Sequence, residues 1–163
     1  MVKNILHLLA WLAVAMLLAA GIGQPGWAQS GSMGGWEKGS AYDQLFRPAE
    51  ADRIKAIIEA ITEITPLPGM SPGVGLKVRD ADGQQVLVHI GPGWFVKPDE
   101  LGVREGDEVK IKGAWAEIAG EDVFIASKIK KGEFVEYKVR LTRDGTPFWT
   151  LSPEELARER AGE

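Results

Sequence analysis

Few residues of this chain have side chains suited to chemistry. His89 is the only histidine beyond position 28, and cysteine is absent. His89 lies within Val-Leu-Val-His-Ile-Gly-Pro-Gly-Trp-Phe at 86–95, a strand-like run broken by a Gly-Pro-Gly corner and followed by Trp94 and Phe95. An imidazole there could ligate a metal or an anion. A tight transition-metal site would then need carboxylates from elsewhere, because no second imidazole or thiolate is at hand. The residue pattern favours a structural histidine, its ring nitrogens satisfied by neighbouring backbone while Trp94 packs nearby. Gly91-Pro92-Gly93 could present backbone amides to an anion. Proline removes one of those donors, so a sharp corner that carries Trp94 over the end of a barrel fits better.

Aromatic and charged groups supply the other candidates. Trp36, Trp94, Trp115 and Trp149 could form a stacking platform for sugars or bases. Trp115 ends a strongly alternating run and reads as core, and Trp94 and Trp149 read as plugs at the barrel ends. Lys128, Lys130, Lys131, Lys138, Arg140 and Arg143 form a basic set against Glu133 and Glu136. Asp99, Glu100, Glu105, Asp107 and Glu108 form an acidic one, offset by Arg104. Either set is a surface for a partner protein, a mineral or a metal ion, or an ordinary solvated strand face. The tentative ligand or partner residues are therefore His89, Trp94, Phe95, Lys128, Lys130 and Lys131, with His89 the one metal candidate. Catalysis is not expected: no nucleophile elbow, phosphate loop or metalloprotease helix occurs. No cofactor is implied.

The elements that must position these groups begin after a leader. Lys3 precedes an uncharged Leu- and Ala-rich run at 5–20. Gly21, Gly23 and Pro25 break it, and Gly26-Trp27-Ala28 suits cleavage after Ala28. The rival is an uncleaved anchor, since 5–22 is 18 residues, the lower edge of a membrane span. Without Lys3 the remaining chain has 18 basic and 23 acidic side chains, a formal charge of −5. That balance and export both argue against a nucleic-acid partner. An exported chain without cysteine is stable through packing alone.

Residues 29–47 read as a flexible, Gly- and Ser-rich lead-in, with Trp36 and Tyr42 as exceptions that could dock. The stretch 51–65 is ambiguous. Ile54, Ile57, Ile58 and Ile61 recur at helical spacing, yet Ile54, Ala56, Ile58, Ala60, Thr62 and Ile64 alternate and the run is β-branched. Beyond the proline-rich loop at 66–73, alternation predicts strands over 74–78, 85–90, 108–115, 123–129 and 135–141. Asp80-Ala81-Asp82-Gly83 makes the first hairpin turn. Ser152, Pro153 and Glu155 open a short helix as a capping box. The fold class is mainly β: a small OB-like barrel of five or six strands over 48–150, with a short helical tail over 151–163.

The residues Met-Ser-Pro-Gly-Val-Gly-Leu at 70–76, His-Ile-Gly-Pro-Gly-Trp-Phe at 89–95, Gly-Asp-Glu-Val-Lys-Ile-Lys-Gly at 106–113 and Arg-Asp-Gly-Thr-Pro-Phe-Trp at 143–149 resemble the magnetosome MamS/MamX-type domain. The resemblance implies an exported OB-like module whose first strand is 54–65, and a link to iron-mineral biology. The paired haem-attachment motifs of MamX-like members need cysteines, so a haem-borne redox role does not transfer. The expectation is a non-catalytic periplasmic accessory module acting through a periplasmic or membrane-associated protein partner or in metal handling. The alternative is an envelope-stress OB module that binds a small cation or an envelope component.

Overall fold

The protein is described by a computed structural model covering residues 32–162. The leader, its cut after Ala28 and the alternative anchor all lie outside the described residues. Among the described residues, no helix is long and apolar enough to cross a membrane. Six strands are present: β1 (Asp52–Ile64), β2 (Gly73–Asp80), β3 (Gln85–Pro92), β4 (Glu108–Ile118), β5 (Glu121–Lys131) and β6 (Val135–Lys138). They form one sheet in the order β3-β2-β1-β4-β5-β6, and a parallel pairing of β3 with β5 closes the first five into a barrel-like ring, with β6 added on β5. The fold is thus mainly β and OB-like. A short helix, α1 (Pro153–Ala161), follows, with the capping box at Ser152 and Glu155 that its sequence predicts.

The ambiguous stretch is strand β1, as the family resemblance implies. Residues 52–57 pair with β4 and residues 56–64 pair with β2, so one long strand is shared between two neighbours. Ala56 and Ile58 are buried while Arg53, Lys55 and Ile57 point outward. The interior is a packed apolar core that includes Ile58, Leu76, Val78, Val88, Ile90, Ile111, Phe124 and Ile129. Each such side chain stabilises the fold by roughly 1.5–3 kcal/mol when fully buried.

Three expectations are corrected. The lead-in is not a flexible tail from Ser32 onward: Trp36 and Tyr42 are 1% and 2% exposed. The Trp36 indole donates to the Ser71 carbonyl at 2.9 Å, and the ring covers Gly73 so closely that no β-carbon would fit. Trp115 faces the core side of β4 yet is 39% exposed. Beyond Gly113, β4 has lost β1 as a neighbour and pairs with β5 alone, where Phe124 packs edge-on against that ring. Arg140 is buried although strand alternation points it to solvent. The Ser127 carbonyl accepts from both the Val139 and Arg140 amides, at 2.9 and 3.1 Å, and this irregularity turns Arg140 inward.

Candidate functional site

His89 sits in β3 opposite Gly75 and beside Ile125 of β5. It is buried, and its Nδ1 lies 3.1 Å from the Tyr42 hydroxyl, whose ring stacks on the imidazole. Burial pushes the His89 pKa down to about 4. Burial likewise raises the Tyr42 pKa far above its ordinary value, against the pull of the Arg140 charge. The contact therefore joins a protonated hydroxyl to a neutral imidazole. The ring borders a shallow depression of about 490 Å³ shared with Lys77, Glu63 and Glu121. Among the described residues, no group of three or more His, Asp or Glu side chains gathers as a metal site.

The Gly-Pro-Gly corner serves packing. A β-carbon at Gly91 would meet the Trp149 ring at 2.8 Å, so glycine lets that indole lie against the backbone. Trp149 is buried, and its Nε1 donates to the Trp36 carbonyl at 2.7 Å. Phe95 packs edge-on against Trp149, at 6.0 Å between ring centres. Trp94 plugs nothing: it is 46% exposed, with Phe95 as its one aromatic neighbour. Of the two plugs read from the sequence, Trp149 is buried in the body and Trp94 is not.

The charged side chains give a more concentrated arrangement. On the outer face of β1, β4, β5 and β6 the register sets Arg53 opposite Lys112, Lys112 opposite Lys128 and Lys128 opposite Lys138. A second row, one side-chain repeat along the strands, runs Lys55, Lys110, Lys130 and Glu136. Seven cations thus occupy two rows that hold one carboxylate. Glu136 takes Lys130 at 3.0 Å, Lys128 at 3.5 Å and Lys138 at 3.6 Å. Burial opposes its ionisation, but the Lys130 hydrogen bond and the three ammonium charges outweigh that and hold its pKa below the usual range. Arg53, Lys55, Lys110 and Lys112 form no ion pair among the described residues. Arg53, Lys110, Lys112, Lys128, Lys130 and Thr142 line a cleft of about 320 Å³.

Of the lysines singled out in the sequence, Lys128 and Lys130 meet on this face. Lys131 points to the other side of β5 and pairs with Asp107 at 2.7 Å. That contact, with the Arg104 amide, holds the Asp107 carboxyl below its usual range. Arg140 has left the surface: its Nη1 donates to Asp43 at 2.7 Å and to the Gly145 carbonyl at 3.0 Å, and its guanidinium lies over Phe46 and Trp149. Arg53, Lys55, Lys110 and Lys112 are the residues sequence reasoning missed. Each reads as the wet side of its own strand, and only the strand register joins them.

The model of the MamS/MamX magnetosome protein family matches residues 50–135, just over half of the chain. The chain belongs to the MamS/MamX magnetosome protein family. A search of curated proteins finds no match. Membership suggests a magnetosome-associated protein. The MamS/MamX match spans β1 to the start of β6, and so takes in His89 and both cation rows apart from their β6 ends. Trp36, Tyr42, Arg140 and Trp149, which tie the two flanks of the barrel-like ring together, fall outside the MamS/MamX match.

Proposed function

We propose that this MamS/MamX member is an exported, non-catalytic accessory module that binds another protein of its compartment through the outer face of β1, β4, β5 and β6. One observation carries the reading: seven cations from four strands fill two neighbouring rows whose single carboxylate is Glu136, although the chain as a whole is acidic at −4. A local field of one sign on a protein of opposite net charge steers a partner of complementary charge and fixes its orientation. The same field repels a small cation, so this face does not favour the cation-binding alternative. His89 serves the reading as support, anchoring Tyr42 and with it the N-terminal strap.

The test is retention of native partners. The full-length protein, carrying an affinity tag and expressed in its own cells, is crosslinked and recovered beside a Lys110→Glu/Lys112→Glu/Lys128→Glu variant. The wild type is expected to retain a partner that elutes with rising salt and that the variant loses. Identical retention by both proteins refutes the role of this face.

A further inference from the structure

We infer that the basic face takes an extended acidic segment of polypeptide, with carboxylates at alternate positions, laid along β1 and β4. The inference rests on the proposed partner-binding role and names the chemistry of the partner.

The first argument is conflict between charge and register. Cations stand directly opposite cations at Arg53–Lys112, Lys55–Lys110, Lys110–Lys130, Lys112–Lys128 and Lys128–Lys138. Like charges directly opposite on neighbouring strands destabilise a sheet. A fold under no other demand would alternate signs there, as Lys130 and Glu136 do. Local rules broken in a concentrated patch mark a functional surface.

The second argument is the carboxylate already present. Glu136 is held by three ammonium groups on this face. The β5–β6 half is thus supplied with a paired carboxylate from within the chain; on the β1–β4 half Glu108 stands one repeat beyond Lys110 and, among the described residues, forms no ion pair with any of the four cations. The ligand that completes the pattern brings carboxylates to Arg53, Lys112, Lys55 and Lys110.

The third argument is spacing. Neighbouring strands lie about 4.8 Å apart, and alternate residues of one strand about 6.8 Å apart. The four unpaired cations therefore form two pairs, Arg53 with Lys112 and Lys55 with Lys110, separated by one side-chain repeat along the strands. An extended peptide repeats its own alternate side chains at the same ~6.8 Å. Acidic residues at positions i and i+2 then place one carboxylate between Arg53 and Lys112 and the next between Lys55 and Lys110. Thr142 at the cleft adds a hydroxyl donor. A bilayer surface is flat on this scale and does not enter a cleft of about 320 Å³.

Three probes test this with the full-length protein: a labelled peptide with glutamates at alternate positions, a peptide of equal composition with its glutamates in one block, and vesicles containing phosphatidylglycerol. The alternating peptide is expected to bind several-fold tighter than the blocked one. Arg53→Glu and Lys112→Glu are each expected to weaken it about tenfold at low salt, as the loss of a close charge pair does. Thermal melts of the same variants show that the fold survives. Equal binding of the two peptides overturns the extended-segment geometry, even where partner retention still depends on the face. Tighter binding to the vesicles, lost in the same variants, overturns a polypeptide ligand in favour of a membrane. Absence of peptide binding together with charge-independent partner retention overturns this inference and the proposed function alike.

Discussion

Lys112→Glu should make the protein more stable while it weakens binding. Lys112 faces Arg53 on one side and Lys128 on the other. Reversal turns two repulsive cross-strand contacts into attractive ones. Opposed charges contribute about 0.2–1 kcal/mol per pair and like charges oppose the fold. Glu136 already competes for Lys128, so the Arg53 contact supplies the larger share. The expected gain is about 1–2 kcal/mol at low ionic strength. For a domain of this size that corresponds to a rise of roughly 3–8 °C in Tm. Glutamate and lysine are both weak strand formers, so propensity adds little. Differential scanning calorimetry at 20 mM and at 1 M NaCl measures the effect, with Lys112→Gln expected to give about half of it. At 1 M salt the screening length is about 3 Å, and the difference should largely vanish. A Tm that is unchanged or lowered at low salt, or a shift that persists undiminished at 1 M, refutes the claim that the opposed cations strain the sheet.

Two further perturbations probe the buried polar groups, His89 and the Asp43–Arg140 pair. His89 titrates near 4 when folded, because burial disfavours its cation, against about 6.5 in the unfolded chain. Above pH 6.5 both states are neutral; as pH falls towards 4 the unfolded chain takes up a proton that the folded one refuses. His89 thus removes up to about 3 kcal/mol of stability between pH 6.5 and 4. Urea unfolding of His89→Gln, which keeps an acceptor for Tyr42, should show a shallower decline over that window; parallel curves refute the assignment. Asp43→Ala leaves the buried Arg140 guanidinium without its ion pair, while among the described residues its Nε and Nη2 have no hydrogen-bond partner. A loss of about 3–5 kcal/mol is expected. Pairing it with Arg140→Met should recover most of that, as equilibrium unfolding in urea would show, and a loss below 1 kcal/mol refutes the role of the pair.

The parts of the fold legible in the sequence are those governed by neighbours one or two residues away. Alternation reports the buried face over Leu76–Arg79, Val86–Val88, Val109–Lys112 and Ser127–Lys130, and Ser152, Pro153 and Glu155 report the helix start. The parts that were not legible depend on contacts between distant segments. In β1, Ile54, Ile57, Ile58 and Ile61 satisfy a helix and a strand equally, and pairing with β4 and β2 decides between them. Trp36 and Tyr42 stand in a stretch without an apolar period, and their burial follows from Ser71, Gly73, His89 and Trp149. Arg140 obeys alternation until Ser127 accepts two successive amides and reverses it.

The same limit explains why only part of the site was visible. Lys128 and Lys130 stand out because they crowd together in sequence, but Lys131, their neighbour, points the other way. Arg53 and Lys112 are 59 positions apart and become adjacent only when β1 and β4 pair. A lysine that alternates with isoleucine is an ordinary solvated strand residue when its cross-strand partner is acidic or neutral. It is a different object when the partner is another cation, because the sheet then holds apart charges that would separate if free. That opposition ties stability to binding: a carboxylate arriving between Arg53 and Lys112 removes a repulsion within the fold as it forms an ion pair with the ligand. Binding should therefore raise Tm by more than a neutral surface of the same area would allow, and the excess should disappear in Lys112→Glu, where the repulsion is already gone.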